Sequence, residues 1–262
     1  MVSTRVLVVF AMALLAGRFL PAQSAGTLPE KPKRLDSPIA ESRGSAATIT
    51  PEQRGDILMA RKMYREAIDL YGQCPNSAVI LNKTGIAYHQ MLQFDTARRY
   101  YEKAIKLNPK YAEALNNLGT IYYANKKYRR ATSYYRRALK LTPDAASIYS
   151  NLGTAYFARK KYKQAAEAYQ TALSLDPEVF ERRSSYGVLL QERNVEERAK
   201  FHYYLAKTYA KAGMNDRALL YIRKALEEGF KERTKLKEDP EFSALRDTPE
   251  FQQLLAMEPR VL

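Results

Sequence analysis

Catalysis and metal binding need particular side chains at particular spacings, and this sequence offers few of them. Its two histidines, His89 and His202, lie more than a hundred residues apart, and neither has a cysteine or second histidine at ligand spacing. There is no Gly-rich phosphate loop, no Gly-x-Ser-x-Gly elbow and no His-Glu-x-x-His. Cys74 is the only cysteine, so no internal disulfide can form, and its place three residues after Tyr71 suits a small buried side chain. Adjacent acids such as Glu196 and Glu197 read as a solvated helix start. The residues predict a protein that is not an enzyme, with no cofactor and no metal.

The recognition chemistry on offer is cationic. The formal net charge is +15, and it is concentrated in two runs, Lys126-Lys127-Tyr128-Arg129-Arg130 and Arg159-Lys160-Lys161-Tyr162-Lys163. They occupy nearly equivalent places in an internal repeat.

That repeat supplies the elements that position everything else. From Ala78 to Val179 one 34-residue phrase is spoken three times. Leu81, Leu115 and Tyr149 coincide, then Thr84, Leu118 and Leu152, then Gly85, Gly119 and Gly153, then Tyr88, Tyr122 and Tyr156. These columns fall at i, i+3, i+4 and i+7, one stripe of a helix. The second half of the phrase aligns Ala97, Ala131 and Ala165, then Tyr101, Tyr135 and Tyr169, then Ala104, Ala138 and Ala172. Pro109, Pro143 and Pro177 close it, because proline ends the second helix. Each unit is therefore two helices, with both basic runs at the turn between them. Stacking units sets the runs side by side, so that Lys126, Lys127, Arg129, Arg130, Arg159, Lys160, Lys161 and Lys163 make a basic stripe along one edge.

This length and this order of small, aromatic and proline positions resemble the tetratricopeptide repeat (TPR). The resemblance implies an all-α, right-handed superhelix, an α-solenoid of helix-turn-helix units that binds a peptide or protein segment in its concave groove. In that family positions 2, 5, 6, 9, 12 and 13 of each unit face the ligand. Carried onto this sequence, positions 5 and 6 give Asn82 and Lys83, Asn116 and Asn117, and Ser150 and Asn151. Position 9 gives Ile86, Thr120 and Thr154, and position 12 gives His89, Tyr123 and Phe157. The asparagines resemble the ladder with which related arrays hold an extended backbone, since one amide both donates and accepts. The two-carboxylate clamp of chaperone-tail-binding relatives is not reproduced: Asn82 and Ile86 stand at its first pair of positions, Ser147 and Asn151 at its last, and only Asn117 matches.

The flanks are read separately. Residues 1–22, with an apolar run Val6 to Ala16 behind Arg5 and small residues to Ala25, have the outline of a secretory signal peptide; an uncleaved membrane anchor is the alternative. The expected location is periplasmic or secreted. Nucleic acid is then an improbable partner, and the rival to groove binding is docking of the basic edge on anionic lipid headgroups, acidic polysaccharide or an acidic protein. Residues 23–50 have the composition of a flexible linker. Thr50 and Pro51 begin a degenerate N-terminal repeat over 51–77, followed by repeats at 78–111, 112–145 and 146–179. Residues 180–198 form an insert, whose apolar Val188 to Leu190 segment is expected to fold back on the groove. Asn194 caps the next helix, and a fourth full repeat spans 199–232. In 233–262, Asp239-Pro240-Glu241-Phe242 and Thr248-Pro249-Glu250-Phe251 predict two short capping helices that lay Phe242, Leu245, Phe251, Leu254 and Leu255 over the open end of the array.

Overall fold

The computed structural model describes residues 49–181 and 195–257, and every regular element within them is helical. The expected signal peptide, almost all of the linker, the Val188 to Leu190 segment and the Asn194 cap lie outside the described residues. Five helix pairs follow in order: α1 (Pro51–Ala60) with α2 (Tyr64–Tyr71), α3 (Ala78–Gln90) with α4 (Phe94–Leu107), α5 (Ala112–Ala124) with α6 (Tyr128–Leu139), α7 (Ala146–Ala158) with α8 (Tyr162–Leu175), and α9 (Val195–Lys211) with α10 (Asn215–Glu227). Each helix packs mainly on its neighbours in sequence, and α5 also touches α3 and α7. Of like helices in successive units it is the first ones that touch, which makes theirs the inner face of an α-solenoid.

What lets the two helices of a unit approach is one reciprocal contact. Tyr71, Tyr101, Tyr135 and Tyr169 are wholly or almost wholly buried, and each ring lies close against a glycine of the preceding helix. A Cβ built on Gly55, Gly85, Gly119 or Gly153 would stand 2.5, 2.6, 2.6 or 2.4 Å from the Tyr Cε1, closer than any packed carbon pair. Gly55 extends the column into the N-terminal unit, whose first helix is otherwise degenerate. The last unit resolves the same constraint the other way: Ala206 replaces the glycine, and Ile222 replaces the ring, both fully buried.

The turn inside each unit is equally constrained. Lys62, Leu92, Lys126, Lys160 and Gly213 all have φ between 58° and 72°, and the backbone closes twice around each. At the third unit Lys127 N–H donates to Tyr122 C=O and Lys126 N–H to Tyr123 C=O, each at 2.8 Å. This is the Schellman termination, whose left-handed residue is glycine only at Gly213. Elsewhere a side chain with a Cβ bears that conformation, and at two of the five turns it is a lysine of a basic run.

The ends of the array are closed by the devices that the flanks announce. Thr50 caps α1 through a reciprocal pair with Gln53, with bonds of 3.2 and 2.9 Å. At the other end α11 (Arg233–Glu238), a 3-10 helix (Pro240–Leu245) and α12 (Pro249–Ala256) bury Leu236, Phe242, Leu245, Phe251 and Leu254 against α9 and α10. Thr248 caps α12. Asp239 stands at the N-cap of the 3-10 helix but makes no cap bond: its carboxylate accepts from the Tyr203 hydroxyl and pairs with Lys207 at 3.2 Å. At the edge of the insert, Phe180 sits edge-on between Tyr169 and Tyr209, at 5.4 and 6.2 Å.

If the glycine-ring contact sets the helix spacing, Gly119→Ala should cost about 1–3 kcal/mol of stability by urea denaturation, the range for overpacking a filled core. Adding Tyr135→Ile, the combination the last unit uses, should recover part of that loss. Equal midpoints for the wild type and Gly119→Ala would remove the contact from the account.

Candidate functional site: the inner face and the basic edge

The groove residues expected from the repeat positions do come together on the inner face, but their side chains are turned to one another. Asn82, Asn116, Asn117 and Asn151 are at most 3% exposed. Asn151 Nδ2 donates to Asn116 Oδ1 at 3.0 Å, Asn116 Nδ2 to Asn117 Oδ1 at 3.4 Å, and Asn117 Nδ2 to Asn82 Oδ1 at 3.1 Å. Asn82 Nδ2 then reaches the Tyr111 hydroxyl at 3.4 Å, which donates to Glu113 at 3.1 Å. The expectation of amides open to a ligand is corrected: four amides form a buried rail through three units. The physical reason is the close approach of α3, α5 and α7, which brings position 5 of one unit against position 6 of the next.

In the first interface the same place is held by charge. Lys83 Nζ lies 2.8 Å from Glu52 and 2.6 Å from Asp56 on α1. Partial burial works against its charge, but the hydrogen bonds it donates to Asp56 and Glu52 outweigh that and raise its pKa above the ordinary lysine value. A spacing of 35 residues between asparagines, 82 to 117 and 116 to 151, was the available signal for the rail, one residue longer than the repeat.

Position 9 is also inward. Thr120 and Thr154 accept from the hydroxyls of Tyr135 and Tyr169 at 3.3 Å, and donate to the carbonyls of Asn116 and Ser150. Ile86 is buried. Position 12 forms a clasp across each turn: His89 meets Phe94, Tyr123 meets Tyr128 and Phe157 meets Tyr162, at 5.5, 5.1 and 5.4 Å between ring centroids. Phe157 is buried beneath Phe201 and Tyr204, whereas His89 and Tyr123 stay half-open, as do Lys83 and Ser150. Of the groove set, these four retain surface for a partner. Val79, Gln90, Glu113 and Ser147 add exposed positions beside them.

Burial lowers the pKa of His89 to about 4. His202, 2.9 Å from Glu228, is also lowered, by burial that outweighs the nearby carboxylate. Both imidazoles are therefore neutral near pH 7. Among the described residues no cluster of three His, Cys, Asp or Glu could hold a metal ion, and no helix is long and apolar enough to cross a membrane.

Six cations of the two basic runs meet where successive turns stack. Lys126, Lys127, Arg129, Arg130, Arg159 and Lys161 line one recess of about 500 Å³ with Tyr128. Lys160 and Lys163 belong to the same run and are exposed but lie outside the recess lining.

Helix pairs stacked by period define a helical-repeat protein of the α-solenoid class, and comparison with known proteins agrees. The tetratricopeptide repeat family model matches residues 45–110 and 110–178. The chain belongs to the tetratricopeptide repeat family. Among solved structures it is similar to the crystal structure of MamA, at 24% identity over 70% of this chain and 96% of that one, with a TM-score of 0.47. A MamA fragment from Desulfovibrio magneticus RS-1 gives 21% identity over 68% and 92%, at 0.48. YrrB, described as a TPR protein with an unusual peptide-binding site, gives 20% over 50% and 69%, at 0.44. No protein in the curated comparison matches significantly.

Two outcomes test the site geometry. Asn117→Ala leaves the buried Asn82 Oδ1 acceptor and Asn116 Nδ2 donor without their bonds to it and should lower stability by about 1–3 kcal/mol, measured as a urea midpoint. Amides presented freely to a ligand would leave that midpoint unmoved. For His89 the folded pKa lies below the ordinary value of 6.5, so between about pH 6.5 and 4 the unfolded chain binds the extra proton. Stability should then fall on acidification through that window, by at most about 1.4 kcal/mol per pH unit from this group. His89→Gln should flatten that part of the slope, and a slope unchanged by the substitution would assign it elsewhere.

Proposed function

We propose that this protein is a non-enzymatic scaffold that holds a peptide or protein segment along the inner face of α3, α5 and α7. Members of its family are generally interaction scaffolds of this kind. The observation that carries the reading is the continuity of the inner face. Three first helices lie side by side, fixed to one another by the amide rail; along it His89 and Tyr123 stand half-open one repeat apart, with Ser150 half-open on the next unit. A rigid rail lowers the entropy lost when a segment docks. The affinity would come from rings and from the exposed polar positions beside them, not from the asparagines. The absence of the two-carboxylate clamp points away from chaperone tails, and here Asn117, its one matching residue, is turned to Asn82.

A photo-crosslinking residue at Tyr123 of the full chain should capture a protein segment from cell extract, and one at Arg99 on α4 should not. Tyr123→Ala should weaken the captured segment roughly tenfold, about 1.4 kcal/mol, with little dependence on salt. Equal capture at both positions would remove the inner face as the binding surface.

A further inference from the structure

The recess at the basic edge continues into a second, of about 450 Å³, that runs down the outer side of α6 toward Lys140. Arg129, Arg159 and Lys161 line both. Nine cations and no carboxylate line the pair. Between Glu113 and Asp144 the sequence has no acidic residue, and among the described residues none of these cations is in an ion pair with a carboxylate.

The unit before shows that this is not how an outer helix of this fold must be charged. On α4, Arg98 pairs with Asp95 at 3.7 Å and with Glu102 at 3.4 Å. One period later those three positions are Arg129, Thr132 and Arg136. Both carboxylates have become arginines, and the arginine between them has become a threonine. Thr132 instead takes a bond from Arg159 at 3.1 Å, which ties the floor of the cleft to α7.

We propose that this cleft is a second binding site, for an acidic segment of a partner protein. The inference rests on the scaffold reading only in taking the occupant to be protein, and it uses none of the inner-face residues. Arg136 and Lys140 are about 6 Å apart along the helix axis, close to the roughly 6.8 Å between alternate side chains of an extended chain. Guanidinium groups bind carboxylates through two parallel bonds, and the exposed Ser133 and Gln164 on the walls can meet peptide N–H and C=O. A concave wall of like charges concentrates the field along a line, which a linear polyanion can follow and a flat bilayer meets only at the rim. Single-stranded nucleic acid would look for open rings on which to stack. Here Tyr128 faces Tyr123, Tyr134 stacks on Tyr122 under Arg137, and Tyr156 packs on the core.

The test is fluorescence anisotropy of a labelled peptide of alternating Glu and Ser with the full chain. Arg129→Gln, Arg136→Gln and Lys140→Gln together should weaken binding about tenfold or more, with helicity unchanged. Three exposed cations elsewhere, changed together as Arg99→Gln, Arg223→Gln and Lys237→Gln, remove the same charge and should weaken it less than about threefold. Equal losses in the two triple variants would reduce the site to net-charge attraction and overturn it. So would tighter binding, through the same three residues, to an oligodeoxynucleotide or to phosphatidylglycerol vesicles. Neither set touches Tyr123, so crosslinking at the inner face and peptide binding at the cleft succeed or fail separately.

Discussion

A tyrosine ring packed close against a glycine fixes the spacing of the two helices in four consecutive units, and the rest of the solenoid depends on that spacing. The ring can be fully buried only because its neighbour has no Cβ, so the cost of removing a phenol from water is offset by close contact. With the pair held this tightly, the first helix of the next unit comes near enough for position 5 to meet position 6. The rail of amides follows from that approach. The last unit obtains a similar core with Ala206 and Ile222, which shows that the constraint is on the summed size of the pair and not on either residue alone.

The inner face is stiff for a related reason. Its polar groups are paired across units, by Lys83 with Glu52 and Asp56 at the first interface and by asparagine with asparagine at the next two. A buried amide without a partner is costly, so the pairs resist sliding of one unit past another. A surface built this way can present its remaining open rings at fixed distances, which suits a scaffold. Charge is handled differently on the two outer helices: on α4 Arg98 is paired with Asp95 and Glu102, whereas α6 keeps its cations out of ion pairs and lies beside turns whose left-handed residues, Lys126 and Lys160, are exposed.

Much of this was legible in the residues. Period, helix count and the chain positions of the turns follow from columns that recur every 34 residues, because each unit faces nearly the same surroundings. The caps at Thr50 and Thr248 and the apolar cover of Phe242, Leu245, Phe251 and Leu254 follow from local rules that hold without tertiary context. The clustering of the basic runs follows from their place in the repeat. The tertiary structure alone decided where side chains with two plausible partners would turn. Asn82, Asn116, Asn117 and Asn151 could have faced a ligand or one another, and the choice depends on an inter-unit distance that no single unit encodes. Asp239 could have capped its own helix, but Tyr203 and Lys207 arrive from thirty-odd residues away and take its carboxylate. The exchange of Asp95, Arg98 and Glu102 for Arg129, Thr132 and Arg136 can be read one period apart, but that Arg159 and Lys161 of the next turn join these side chains in one cleft depends on how the units stack.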